Sequence, residues 1–197
     1  PGGGRWLAVY GGGLVRYERG QFTTLNTADG LADNYARAVA LGPDGAVWVG
    51  TDRGLSRLLG GRFSHFHAAE GPASDAIRTL LVDRDGTVLA GAERGLFRVA
   101  GGALVRVPLP AMTDRATVET ILRDRLGRLW VGTSNGLVCI DGSRTEVMGA
   151  AHGVSSSAIR HVYEDAAGRI WVAPLRGVDC AAPGAAGALR FAPIVPG

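Results

Sequence analysis

The chain has 197 residues, of which 46% are apolar and 20% charged, and its formal net charge is +3. Enough apolar side chains are present for a folded core, which excludes a disordered chain. Its arginines are scattered instead of forming a basic run, and no stretch approaches the roughly eighteen apolar residues of a membrane helix. The sequence therefore predicts neither nucleic-acid binding nor a membrane span.

The first residues, 1–29, predict only a partial structural unit. The chain opens on Pro1 without an initiator Met, so we expect it to be a piece of a longer protein. Residues 6–25 match the last three strands of the units that follow. Glycine is abundant, at 31 residues, as is typical of short strands joined by tight turns.

Residues 30–70 show the unit most clearly. Segments rich in β-forming residues alternate with turn sequences such as Gly42-Pro43-Asp44-Gly45. This pattern predicts four short strands, at 36–41, 47–49, 55–59 and 62–67. Four antiparallel strands in about forty residues are typical of one blade of a β-propeller.

The unit recurs with a fixed period of 41 residues. Trp48 is followed at that spacing by Leu89, Trp130 and Trp171, and Gly54 by Gly95, Gly136 and Gly177. Further blades are therefore predicted at 71–111, 112–152 and 153–197. The expected fold is all-β: nineteen strands in about five blades, forming an open arc of a larger propeller, with the tryptophans packed between blades.

Cys139 and Cys180 are the only cysteines, and they are also 41 residues apart. Equivalent strands of neighbouring blades lie about 10 Å apart, whereas a disulfide needs Cα atoms within about 7 Å. The sequence therefore favours two buried free thiols.

No catalytic or metal-binding constellation is predicted. His65 and His67 lack an evident third ligand for zinc. The segment 83–86 resembles the start of a calcium loop, but Arg94 occupies the position of the bidentate carboxylate. Ser155 to Ser157 have histidines nearby, without a spacing that implies a triad. We expect no cofactor.

Two repeated sets of polar residues are the candidate ligand-binding positions. One set precedes the repeated glycine in each turn, and its proposed members are Arg53, Arg94, Asn135 and Arg176. The other begins the inner strand, and its members are Arg37, Arg78 and Arg160, with Glu119 in the same place. Tyr35 is the best aromatic platform for a sugar, and His67 and His152 are weaker ones. Arginine and asparagine offer several donors to a polyol or carboxylate, although the same arginines could instead solubilise the surface or pair with Asp and Glu.

The repeated blocks resemble the two-component regulator propeller repeat. The resemblance rests on residues that recur in the turns and second strands, among them Gly30-Leu31, Asp44-Gly45, Trp48-Val49-Gly50-Thr51, Gly54-Leu55, Arg57, Gly61 and Phe63. It recurs in Trp130-Val131-Gly132-Thr133 and Gly136-Leu137, and in Trp171-Val172.

The resemblance implies a ligand-sensing, non-catalytic region of a bacterial signalling receptor, located in the periplasm. Family members carry a downstream immunoglobulin-like module, a membrane helix and a histidine kinase or diguanylate cyclase output, and some sense oligosaccharides. It implies as partners a small-molecule or oligosaccharide ligand, further blades and downstream signalling modules, and it leaves a homodimer of the parent open. Two alternatives also stay open: a propeller lyase or hydrolase, and a protein–protein docking scaffold.

Overall fold

The computed structural model describes residues 4–68, 76–182 and 189–194, and these contain nineteen strands. Each sheet consists of consecutive antiparallel strands joined by short turns, as the sequence predicts. Blade 1 is three-stranded and the other four blades are four-stranded. The all-β prediction of four-stranded blades is confirmed.

The strands fall into five blades in chain order. Blade 1 comprises β1 (Arg5–Val9), β2 (Gly13–Glu18) and β3 (Gln21–Leu25). Blade 2 comprises β4 (Ala36–Leu41), β5 (Val47–Thr51), β6 (Gly54–Leu59) and β7 (Arg62–Phe66). Blade 3 comprises β8 (Ile77–Val82), β9 (Val88–Ala92), β10 (Gly95–Ala100) and β11 (Ala103–Val107). Blade 4 comprises β12 (Val118–Arg123), β13 (Leu129–Thr133), β14 (Gly136–Asp141) and β15 (Arg144–Met148). Blade 5 comprises β16 (Ile159–Glu164), β17 (Ile170–Pro174), β18 (Asp179–Ala181) and β19 (Phe191–Pro193).

One-turn 3₁₀ helices at Thr27–Asp29 and Ala150–His152 precede blades 2 and 5. The Asn26 side chain caps the first by accepting a hydrogen bond from the amide of Ala28 at 2.8 Å. The chain divides into two compact units, Pro1–Val107 with blades 1 to 3 and Pro108–Gly197 with blades 4 and 5.

Tryptophans from the second strand fill the space between blades within each unit. Trp48 packs with Ile77 and Phe97 of the following blade, and Trp130 packs with Ile159. Both tryptophans are buried, which confirms their predicted role. Trp171 is half-buried, so the prediction holds only in part in blade 5.

The glycine of the Trp-Val-Gly-Thr sequence allows the blades to approach closely. A Cβ atom on Gly50 would lie 2.6 Å from Cγ2 of Ile77, and one on Gly132 would lie 2.8 Å from Cγ2 of Ile159. The threonine that follows closes the next turn, since Thr51 Oγ1 donates to the carbonyl of Gly54 at 2.9 Å. Gly54 itself has φ +108°, a backbone conformation that favours glycine.

Both cysteines are free thiols. Cys139 is buried, and burial raises the pKa of its thiol to about 11. Cys180 is half-buried, so the prediction of two buried thiols is correct only for Cys139.

Candidate functional site

The inner strands of blades 2 to 5 carry a β-bulge at equivalent positions. In β4, Ala36 and Ala38 pair with the consecutive residues Thr51 and Gly50 of β5, so the residue between them is left unpaired. The same one-residue irregularity recurs in β8, β12 and β16. The bulged residues are those of the predicted inner-strand set, namely Arg37, Arg78, Glu119 and Arg160. A bulge leaves one residue out of the ladder and re-aims its side chain, which explains why polar residues are tolerated here.

Arg37 is held by Asp52, which lies in the turn after β5. The guanidinium donates from Nε and Nη2 to the two carboxylate oxygens of Asp52, the Nη2 bond being 3.1 Å long. These hydrogen bonds raise the pKa of Arg37, against the opposing effect of burial. Arg37 therefore stays protonated and acts as a fixed cation, not as a base.

Two exposed tyrosines lie beside this ion pair. Tyr10 and Tyr35 form an isolated antiparallel bridge, and their ring centroids are 4.9 Å apart at an interplanar angle of 58°. The Arg37 guanidinium carbon lies 4.7 Å from the centroid of Tyr10. Tyr10 is 62% exposed and Tyr35 46% exposed, so both rings remain accessible to a ligand. We call Tyr10, Tyr35, Arg37 and Asp52 the tyrosine–arginine cluster.

Asp33 connects the cluster to a second predicted residue. Its Oδ1 accepts a hydrogen bond from the amide of Tyr35 at 2.9 Å, and its Oδ2 lies 3.3 Å from Nε of Arg53. The Arg53 side chain is 80% exposed, so most of its donors face solvent. The structure thus brings together three of the residues predicted from the sequence: Tyr35, Arg37 and Arg53.

Blade 3 repeats the same kind of ion pair. Arg78 Nη2 donates to Glu93 Oε1 at 2.8 Å, with the same spacing of fifteen residues as Arg37 and Asp52. Glu93 also makes the smallest of the contributions that raise the pKa of Arg37. Arg94 is exposed, and its carbonyl accepts a hydrogen bond from Arg106.

The remaining predicted residues lie in the second unit. Arg160 Nη1 donates to Glu119 Oε1 at 2.8 Å, an ion pair between the inner strands of blades 4 and 5. Asn135 and Arg176 are exposed in their turns, and the Asn135 amide lies 3.4 Å from the carbonyl of Met112. Pairing with Asp or Glu, which the sequence left open for these arginines, is thus observed for four of them: Arg37, Arg53, Arg78 and Arg160. The proposed ring of turn residues stays a prediction.

Tyr10 is the member of the cluster that sequence reasoning missed. By alignment on Gly13 and Gly54, it stands where the other blades have Thr51, Ala92, Thr133 and Pro174. A large aromatic residue at a position otherwise occupied by small ones was the available signal. The partial match of blade 1 to the repeat hid it.

Of the histidines and serines considered in the sequence, His65, His152 and Ser155 have structural partners. His65 Nδ1 lies 3.1 Å from Oγ of Ser56, and Nε2 of His152 lies 3.1 Å from Oε1 of Glu146. Ser155 donates to Oδ2 of Asp179 from both its amide and its hydroxyl, at 2.8 and 2.9 Å. Among residues 4–68, 76–182 and 189–194, no three His, Cys, Asp or Glu side chains are grouped so that they could hold a metal ion.

No helix in the described part of the chain has the length and hydrophobicity that crossing a membrane requires.

The family described as two component regulator propeller matches residues 30–53 and 114–135. These segments hold the Trp-Val-Gly-Thr sequences and turns of blades 2 and 4. Both segments are therefore similar to the two-component regulator propeller repeat. Comparison with curated protein sequences gives no match.

Solved structures share the propeller fold. The extracellular domain of BT3049, described as a hybrid two component system of B. thetaiotaomicron, matches 98% of the chain with a TM-score of 0.79 and 22% identity. The chain covers 27% of the BT3049 domain. It matches the extracellular domain of BT4673 with a TM-score of 0.74 and 21% identity, and it covers 25% of that domain. The chain therefore spans about a quarter of the length of these extracellular domains.

An enzyme has a similar fold. Virginiamycin B lyase from Staphylococcus aureus matches 91% of the chain with a TM-score of 0.67, at 13% identity and over 62% of the lyase chain. At these identities, both likenesses establish the fold alone.

Proposed function

We propose that this propeller domain is the non-catalytic, ligand-sensing part of a bacterial two-component or cyclic-di-GMP receptor. We further propose that it lies in the periplasm and binds an oligosaccharide at the tyrosine–arginine cluster. The observation that carries the proposal is the exposed pair of Tyr10 and Tyr35 rings beside the fixed Arg37–Asp52 pair. The repeats and the extracellular receptor domains of similar fold support the receptor assignment.

The cluster offers the two kinds of contact that a sugar needs. Aromatic faces contact the apolar C–H surface of a sugar ring, and tyrosine hydroxyls add a hydrogen-bonding end. The Arg37–Asp52 pair supplies donors and acceptors in fixed positions, so a ligand need not order them on binding. The exposed Arg53 adds donors at the margin.

Binding can signal only through a difference in affinity between two states of the receptor. The cluster combines the β1–β2 turn, the loop before β4 and the turn after β5. A ligand that contacts all three segments would favour the arrangement of blades 1 and 2 in which these segments lie close together. We propose that this preference is passed to the downstream modules of the parent.

Calorimetric titration of the 197-residue chain with defined hexasaccharides tests the proposal. The panel comprises malto-, cello- and xylohexaose and a heparin-derived hexasaccharide. We expect at least one member to bind, and Tyr35→Ala to weaken that binding about tenfold or more, because the variant removes one stacking face. Arg37→Lys keeps the charge but loses the two-pronged contact, and we expect it to weaken binding as well.

Tyr163→Ala is the matched control, since Tyr163 is 56% exposed on β16 in the other unit. We expect this variant to bind as the unaltered chain does. Absence of binding across the panel, or an equal loss in both tyrosine variants, would contradict the proposal.

A further inference from the structure

We propose that the cleft between blades 1 and 2 is a second, independent ligand site and that its ligand is a small aromatic carboxylate. The cleft has a volume of about 670 Å³, within the range of small-molecule sites. One wall carries Trp6 and Arg16 of blade 1, and the other carries Leu41, Leu58 and Phe63 of blade 2. The tyrosine–arginine cluster takes no part in its lining.

The walls of the cleft suit a flat apolar body. Trp6 and Phe63 are half-buried against the core of this unit, and Leu41 is 59% exposed. A bound aromatic ring would remove these surfaces from water, which is the main favourable contribution to binding for such a ligand.

Arg16 is the cation of a lining that also contains Asp29, whose Oδ2 accepts a hydrogen bond from the amide of Asn26 at 2.9 Å. The guanidinium carbon of Arg16 lies 5.6 Å from the Trp6 ring centroid, and Nη2 lies 2.8 Å from Oε2 of Glu18. Its buried Nε has no hydrogen-bond partner among the described residues. A guanidinium has five N–H donors. The contact with Glu18 uses one at Nη2 and the buried Nε is out of reach, which leaves three at Nη1 and Nη2 for a ligand anion.

Glycines open the backbone at the margin of the cleft. Gly45, Gly60 and Gly61 line it, and no atom lies within 4 Å of the position where each would carry a Cβ. Ligand atoms can therefore approach the backbone of the blade 2 turns. Glycine amide signals also report on this site in an NMR spectrum.

The blade 2 equivalent of Arg16 is a matched control. Arg57 lies 5.6 Å from the Trp48 ring centroid, pairs with Asp44 at 2.6 Å and also has a buried Nε without a partner among the described residues. It does not line the cleft. The two arginines therefore differ mainly in their access to the proposed site.

The test is an NMR titration of the 197-residue chain with 3-phenylpropionate, repeated with the neutral 3-phenylpropanamide. We expect the carboxylate to shift the amide signals of Gly45, Gly60 and Gly61 and to bind at least about tenfold more tightly than the amide. Arg16→Met should abolish that preference, whereas Arg57→Met and Tyr35→Ala should retain it.

Leu41→Asp serves as the test if Arg16→Met does not fold. This variant places an anion at an exposed position on the opposite wall, and we expect it to weaken carboxylate binding. Equal binding of the carboxylate and the amide, unchanged binding by either cleft variant, or an equal loss in Arg57→Met would overturn the proposal. Because Tyr35→Ala is expected to act only on hexasaccharide binding, failure of one site is distinguishable from failure of the other.

Discussion

In blades 4 and 5, one aspartate joins an arginine to the indole of the blade tryptophan. Asp124 Oδ2 accepts from Nε of Arg128 at 2.6 Å and from Nε1 of Trp130 at 2.9 Å. Asp165 makes the same two contacts with Arg169 and Trp171. The aspartate thereby fixes the ring that fills the space between blades.

Blade 2 reaches a similar result with residues at other positions. Asp44, two positions later in the turn, pairs with Arg57, which lies over Trp48. In blade 2 the first turn position is Gly42, and a Cβ atom there would lie 2.5 Å from Oδ1 of Asp44.

This exchange explains substitutions that the sequence showed without a reason. Leu126 and Ala167 stand where blade 2 has Asp44, and Cys139 and Cys180 stand where it has Arg57. In blades 4 and 5 the aspartate occupies the first turn position, the arginine comes from the position before the second strand, and a thiol stands opposite the tryptophan. Blade 3 does not follow this exchange, since it has aspartates at both turn positions, Asp83 and Asp85. A repeat alignment treats each column separately, so it could not predict that these columns change together in blades 4 and 5.

Asp124→Asn is expected to destabilise the chain by about 3–5 kcal/mol, because it removes the carboxylate that neutralises the buried Arg128. Chemical unfolding of the 197-residue chain measures this loss. Asp44→Asn is the control: Arg57 is 28% exposed and better solvated, so we expect a smaller loss.

The difference between Asp124→Asn and the unaltered chain should depend on pH. Burial alone would raise the pKa of Asp124, but the hydrogen bonds from Trp130 and Arg128 outweigh it and lower the pKa. The stabilisation is therefore complete above the unfolded-state pKa of about 3.9 and is lost as the pH falls through the lower folded-state value. A difference in unfolding free energy that stays constant from pH 7 to pH 2 would argue against this role.

At the scale of the strand, close approach of blades depends on a glycine in the second strands of blades 2 and 4, Gly50 and Gly132. A Cβ atom on Gly132 would lie 2.5 Å from Cγ2 of Thr120 and 2.8 Å from Cγ2 of Ile159, both in inner strands. The sequence identified this glycine as part of the repeat, and the structure supplies the physical reason for it.

Gly132→Ala is expected to lower the free energy of unfolding by about 1–3 kcal/mol through overpacking. Gly149→Ala is the control, because a Cβ atom there would have no atom within 4 Å and the backbone φ of −140° suits alanine. Equal stability of the two variants in chemical denaturation would show that the blades do not need this close contact.

The bulges mark the limit of prediction for strands. The positions of β4 and of the repeated turns followed from alternating composition and turn residues, and the structure has β4 at Ala36–Leu41 as predicted. An unpaired residue such as Arg37 changes neither composition nor alternation enough to be recognised. Sequence reasoning therefore found the right polar residues without finding the bulge that displays them.

At the scale of the molecule, the 41-residue period predicted the strand number and blade composition, because packing residues recur at fixed spacing. Candidate ligand residues were less predictable. Tyr10 departs from the repeat, and its contact with Tyr35 comes from the bridge between blades 1 and 2. A repeat describes what the blades share, whereas a binding site depends on where they differ.

The most direct test of this account is an NMR titration of the 197-residue chain with the tightest-binding hexasaccharide of the calorimetric panel. We expect the shifted backbone amides to cluster at residues 10–12, 33–37 and 52–53, and Tyr35→Ala to remove those shifts. Shifts confined to other residues, or an unchanged pattern in Tyr35→Ala, would contradict it.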